Sequence, residues 1–120
     1  MRRLGLLVIA FACAGALPAQ AAAPLARVQV VAVEFHYRLS RVRVPAGPVR
    51  IELVNFGQDE HDLSLRRVGG IAVYRLPKTF PGERRILTLR LKPGVYRLSC
   101  SIADHAARGM QAQLRVRRAT

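Results

Sequence analysis

The sequence predicts an all-β fold, an antiparallel Greek-key β-sandwich of about seven to eight strands, on three observations. Short runs rich in Val, Ile, Leu and Tyr recur from residue 27 onward, Gly- and Pro-based turn signals separate them, and no stretch holds a helical apolar stripe for three turns. With 51% hydrophobic residues in 120, the chain is expected to bury one modest core. That excludes a multidomain enzyme and a disordered basic tail alike.

The elements follow in order. Arg27–Tyr37 is a long apolar-rich run expected to form the first strand, and Val42–Val44 and Val49–Asn55 flank the turn Pro45-Ala46-Gly47-Pro48. In His61–Arg66, Leu63 and Leu65 alternate with polar neighbours, the pattern of a half-buried strand. Residues 69–81, with Gly69-Gly70, Pro77 and Pro81, read as irregular. Arg84–Leu91 alternates again, Leu87, Leu89 and Leu91 against Ile86, Thr88 and Arg90. Lys92-Pro93-Gly94 is a tight turn before the strand Val95–Cys100, and Gln111–Arg118 is the last strand. Arginines alternating with apolar residues along these runs read as solvated outer sheet faces.

The N-terminus has a different character. Met1-Arg2-Arg3 and the apolar run Leu4–Leu17 have the charged start and short apolar centre of a secretory signal, too short for the roughly 20 apolar residues of a comfortable membrane span. Ala19-Gln20-Ala21 is an A-x-A cleavage pattern, so residues 1–21 are expected to be a cleaved signal peptide and residues 22–120 a single exported domain. Cleavage removes Arg2, Arg3 and Cys13, which lowers the net charge from +13 to +11 and leaves one cysteine, Cys100. A lone thiol in an oxidising compartment requires either burial or a ligand.

The chemistry lies around that thiol. Cys100-Ser101-Ile102-Ala103-Asp104-His105-Ala106-Ala107-Arg108-Gly109-Met110 is a Cys-x4-His-x4-Met arrangement in the loop between the last two strands. It offers a thiolate, an imidazole and a thioether, and His61 on an upstream strand supplies a second imidazole. Two His, one Cys and a weak Met form a donor set that favours copper over calcium, magnesium or iron. His36, in Glu34-Phe35-His36-Tyr37, has no partner at a metal spacing and reads as a structural or exposed histidine.

These segments resemble the cupredoxins, the small type 1 blue copper proteins of the plastocyanin, azurin and pseudoazurin type. The resemblance rests on Asn55, His61, Tyr96-x3-Cys100, His105, Gly109-Met110 and the closing strand Leu114–Arg118, and extends upstream to Glu34-Phe35 and Val42–Gly47. It implies one copper ion cycling between Cu(I) and Cu(II), with His61, Cys100 and His105 as equatorial ligands and Met110 as the weak axial one. Asn55, Asp62 and Ser101 are expected around the ligands. Asp62 stands where many relatives carry Asn, Ala103-Asp104 where they often carry Pro-Gly, and Ala112 where Gly is frequent. Asp104 also occupies the place of the second cysteine that a dinuclear copper centre needs.

The resemblance further implies a periplasmic one-electron carrier, not an enzyme, that exchanges electrons through an apolar patch of Ile102, Ala103, Ala106 and Ala107. The basic charge suits a redox protein partner with an acidic docking surface, and weak association with an anionic membrane surface. The alternative within the same fold is a periplasmic copper-binding protein for handling, delivery or resistance. A nucleic-acid-binding barrel is disfavoured by export and by an aromatic content of 6% with no tryptophan.

Overall fold

A computed structural model describes residues 14–120; the expected signal segment lies partly outside them, and residues 14–25 carry no regular secondary structure. Nine strands follow among the described residues: β1 (Ala26–Val33), β2 (His36–Leu39), β3 (Arg43–Pro45), β4 (Gly47–Asn55), β5 (His61–Arg67), β6 (Val73–Thr79), β7 (Arg84–Leu91), β8 (Gly94–Ser99) and β9 (Gln111–Arg117). They form two sheets, β2-β1-β4-β7 and β3-β9-β8-β5-β6. The sandwich is mixed in strand direction, because β1 runs parallel to β4 and β3 parallel to β9 while the other pairs are antiparallel.

Two segments differ from the sequence expectation. The run 27–37 is two strands, since the chain reverses at Glu34-Phe35 and returns with Val33 opposite His36. Apolar periodicity cannot mark that reversal, because Phe35 and Tyr37 keep the run apolar across it. The segment 69–81, read as irregular, contains β6. Its Pro77 is tolerated because β6 lies at the edge of its sheet, where a missing N–H costs no ladder bond.

Alternation builds the core. Val28 and Val30 of β1 and Ile51 and Leu53 of β4 face Leu63, Leu65, Leu98 and Leu114 of the other sheet, all at most 1% exposed. The outward positions between them are largely charged or polar, as in the alternating pattern of β9.

This topology gathers the chemistry at one pole. β5 and β9 begin there with His61 and Gln111, while β4, β6 and β8 end there with Asn55, Thr79 and Ser99; His61 pairs with Thr79, and Ser99 with Gln111. Leu65 sits in the centre of the core with no exposure. Leu65→Ala is expected to cost about 2–5 kcal/mol, whereas Arg75→Ala on an exposed edge should change stability by less than about 0.5 kcal/mol. Denaturant unfolding of the two variants against the parent checks this.

Candidate metal centre

His61, Cys100 and His105 converge at that pole, with one donor atom from each lying within 4.8 Å of the other two. All three residues are buried. His61 opens β5 and Cys100 immediately follows β8, so the first two positions are set by paired neighbouring strands. His105 comes from the loop, and its Nδ1 lies 3.6 Å from the Cys100 sulfur.

The loop is held by its own backbone. The N–H of His105 donates to Ile102 O, those of Arg108 and Gly109 to Asp104 O and Ala106 O, and that of Met110 to His105 O. The Cys100 N–H then donates to Met110 O at 3.2 Å, closing the loop back to its start. Met110 is fully buried in the core beside Cys100. Two residues take left-handed conformations to make the turns, Ala103 at φ 45° and Gly109 at φ 108°. At the first of these an alanine bears a conformation that glycine adopts freely.

A carboxylate fixes the state of His61. Its Nε2 lies 3.0 Å from Glu34 Oε1, and an ionised carboxylate only accepts, so the ring proton sits on Nε2. The opposite nitrogen, Nδ1, is buried and has no hydrogen-bond partner among the described residues. A buried, unpartnered lone pair beside a thiol and a second imidazole suits a metal ion, and the donor set is soft enough for copper. Glu34 is held in turn by the loop before β5, accepting from the N–H groups of Asp59 and Gln58, each at 2.8 Å. Those bonds, chiefly that from Asp59 and then the one from His61, draw its pKa from 4.5 down to about 2. Gly57 lets the loop close over the carboxylate, since a Cβ there would collide with Glu34.

The residues expected around the ligands divide in two. Asp62 ties the two ligand-bearing segments together: one carboxylate oxygen accepts the Ser101 N–H at 2.7 Å, and the other accepts from the Ser101 hydroxyl. Aspartate thus performs the bridging that relatives assign to Asn. Asn55 instead orders the approach to His61, donating to Asp59 O and Thr79 O and accepting from the Gly57 N–H.

Three contributors carried no spacing signal. Glu34 is a single acid in an apolar run. Phe35 lies with its ring centroid 4.8 Å from that of His105, and the Arg108 guanidinium carbon sits 4.5 Å from the centroid of the Phe35 ring as a cation–π partner. Tyr37 donates its hydroxyl to Asp62 O, and burial, followed by the nearby Cys100 and Asp62, pushes its pKa upward. Burial also raises the pKa of the Cys100 thiol. His36 is exposed at the start of β2.

The depressed Glu34 pKa has a definite sign. Its stabilising contribution is present above the unfolded value of 4.5 and is lost as pH falls toward about 2. In the metal-free protein, Glu34→Gln is expected to lower stability at pH 7 by about 1–2 kcal/mol, after discounting for partial exposure, and to flatten the loss between about pH 5 and 2. Urea unfolding across that range is the measurement.

Comparison with known proteins agrees with the fold. Sequence comparison with curated proteins gives no match. Among solved structures, the fold is similar to auracyanin from Roseiflexus castenholzii (14% identity, 81% of this chain and 99% of that one, TM-score 0.61). It is also similar to rusticyanin from Thiobacillus ferrooxidans (16% identity, 80% and 79%, TM-score 0.64). A multicopper oxidase matches at 18% identity and TM-score 0.59, over 82% of this chain but 45% of that one. The model of the cupredoxin-like domain matches residues 4–111. With that match across most of its length, and with His61, Cys100 and His105 clustered as a candidate site for one copper ion, the chain belongs to the cupredoxin-like family.

Proposed function

We propose that this protein is a periplasmic type 1 copper protein that carries single electrons between redox partners, exported by a cleaved signal peptide spanning residues 1–21. Cys100, His61 and His105 would hold the copper ion, with Met110 as a fourth, weaker sulfur donor. The observation that carries this reading is the buried thiol flanked by two imidazoles, one with a free Nδ1. Copper, when bound, supplies a centre that cycles between Cu(I) and Cu(II).

The protein's own residues supply the frame. Glu34 holds the His61 proton on Nε2 and leaves Nδ1 for the metal, and Asp62 fastens the Cys100 end of the loop to β5. A donor set held from both sides changes little when an electron arrives or leaves, which favours rapid transfer over metal release. The likeness to a multicopper oxidase covers 45% of that enzyme's chain.

Electrons would pass at the loop surface. His105 is 7% exposed, and it lies beneath a loop on which Ala103 and Ala107 are exposed and Ile102 and Ala106 half-buried. A small apolar contact of this kind suits brief docking with a redox protein. The expected net charge of +11 suits a partner with an acidic surface, and also weak association with an anionic membrane.

Cu(II) added to the protein is expected to give an intense visible thiolate-to-copper band, absent in Cys100→Ser, together with reversible voltammetry. Copper that leaves readily for an apo-protein while self-exchange stays slow would instead identify a copper-delivery protein. The bimolecular rate with an acidic redox protein should fall at least tenfold as ionic strength rises from about 0.01 to 0.3 M. A flat salt profile in stopped-flow measurements removes the steering role of the charge.

A further inference from the structure

The charges are divided between the two poles. Asp59, Glu60, Asp62 and Asp104 lie in the segments that surround the copper cluster, and Glu34 contacts His61 directly. Glu60 pairs with Lys78 and Asp104 with Arg108, while Glu52 and Glu83 pair with Arg84 and Arg85. At the opposite pole, where β5 turns into β6, the balance is different. Arg66, Arg67 and Arg97 line a cleft of about 290 Å³ with Val68 and Gly69. Arg67, Arg90 and Lys92 line an adjoining cleft beside Ile71. Among the described residues, none of these five cations forms an ion pair with a carboxylate.

The same hairpin tip exposes apolar side chains. Ile71 is 94% exposed, Val68 53% and Val73 41%. These β-branched residues beside the Gly69-Gly70 turn lie outside the core cluster, and adjacent arginines without a carboxylate partner make the combination specific.

We propose that this pole, the β5–β6 hairpin with Arg66, Arg67 and Arg97, docks on the surface of an anionic phospholipid bilayer. The bilayer satisfies both halves of the surface. Guanidinium groups pair with lipid phosphates, and Val68, Ile71 and Val73 enter the boundary between headgroups and acyl chains. An acidic protein would match the charge but would leave a protruding isoleucine needing a pocket. β5 runs from His61 to Arg67, so the two poles are separated by about 20 Å of strand. Docking by the hairpin therefore leaves the copper pole facing the aqueous phase, open to a redox partner.

The test is co-sedimentation of copper-loaded protein, residues 22–120, which retain every strand, with vesicles of phosphatidylcholine alone or with about 30% phosphatidylglycerol. Binding is expected only to the anionic vesicles. At about fivefold per basic residue, Arg66→Gln with Arg97→Gln should weaken it about 25-fold. Ile71→Asp should weaken it at least tenfold with the visible copper band unchanged, which shows that the site is still folded. Arg27→Gln with Arg50→Gln, on the other sheet, should weaken it less than threefold. The proposal is overturned if anionic vesicles are not bound at low salt, or if the control pair loses as much as the hairpin pair. It is also overturned if Ile71→Asp leaves vesicle binding intact, or if the hairpin variants lose heparin binding or acidic-protein binding instead of vesicle binding. The readout is vesicle binding, so it stands or falls separately from electron carriage.

Discussion

A buried imidazole with one nitrogen engaged and the other free is the constraint around which this molecule is organised. Burying His61 completely is tolerable only if its N–H finds an acceptor, and Glu34 provides one from the far side of the sandwich. That acceptor is itself charged, and it stays charged because backbone N–H groups of the 57–59 loop surround it. The requirement therefore extends outward from the ring to the turn after β1, the glycine that admits the carboxylate and the asparagine that orders the same loop. The remaining nitrogen needs a partner that the described residues do not supply, and the adjacent thiol and imidazole suit a soft metal ion.

Much of this was legible in the sequence, for a physical reason. Donor residues at strand ends and in one loop are brought to one pole by the topology, so the clustering of His61, Cys100 and His105 followed from their donor chemistry and the family resemblance. Strands with clean alternation, such as His61–Arg66 and Arg84–Leu91, were equally plain because one buried face imposes a period of two. The reversal at Glu34-Phe35 was not visible, since both arms are apolar and the break carries no glycine or proline. The strand 73–79 was hidden by Pro77, which is an obstacle in a sheet interior and none at an edge. Glu34 went unread for a different reason: its role depends on contact with a residue 27 positions away, and no local pattern encodes that.

The charge illustrates how composition and structure answer different questions. A net charge of +13 suggests a uniformly basic particle. In three dimensions most of the acids collect around the metal pole, several of them neutralised by a neighbouring cation, and a cluster of arginines without carboxylate partners among the described residues, Arg66, Arg67 and Arg97, lies toward the other end. The molecule approaches any charged surface as a dipole as well as a cation, so orientation on encounter is biased before contact.

The closed ring of backbone bonds from Cys100 through His105 to Met110 has one more consequence. Turns held by main-chain groups depend weakly on which side chains occupy them, so Ala103-Asp104 can stand where Pro-Gly is frequent without loosening the ends. Chain length is another matter. One residue added between Cys100 and His105 would shift the ring by about 3.8 Å of backbone, comparable to the whole spacing between its Nδ1 and the sulfur. The residue count of the loop is thus a constraint alongside its donor residues and the left-handed Gly109, while its remaining letters are comparatively free.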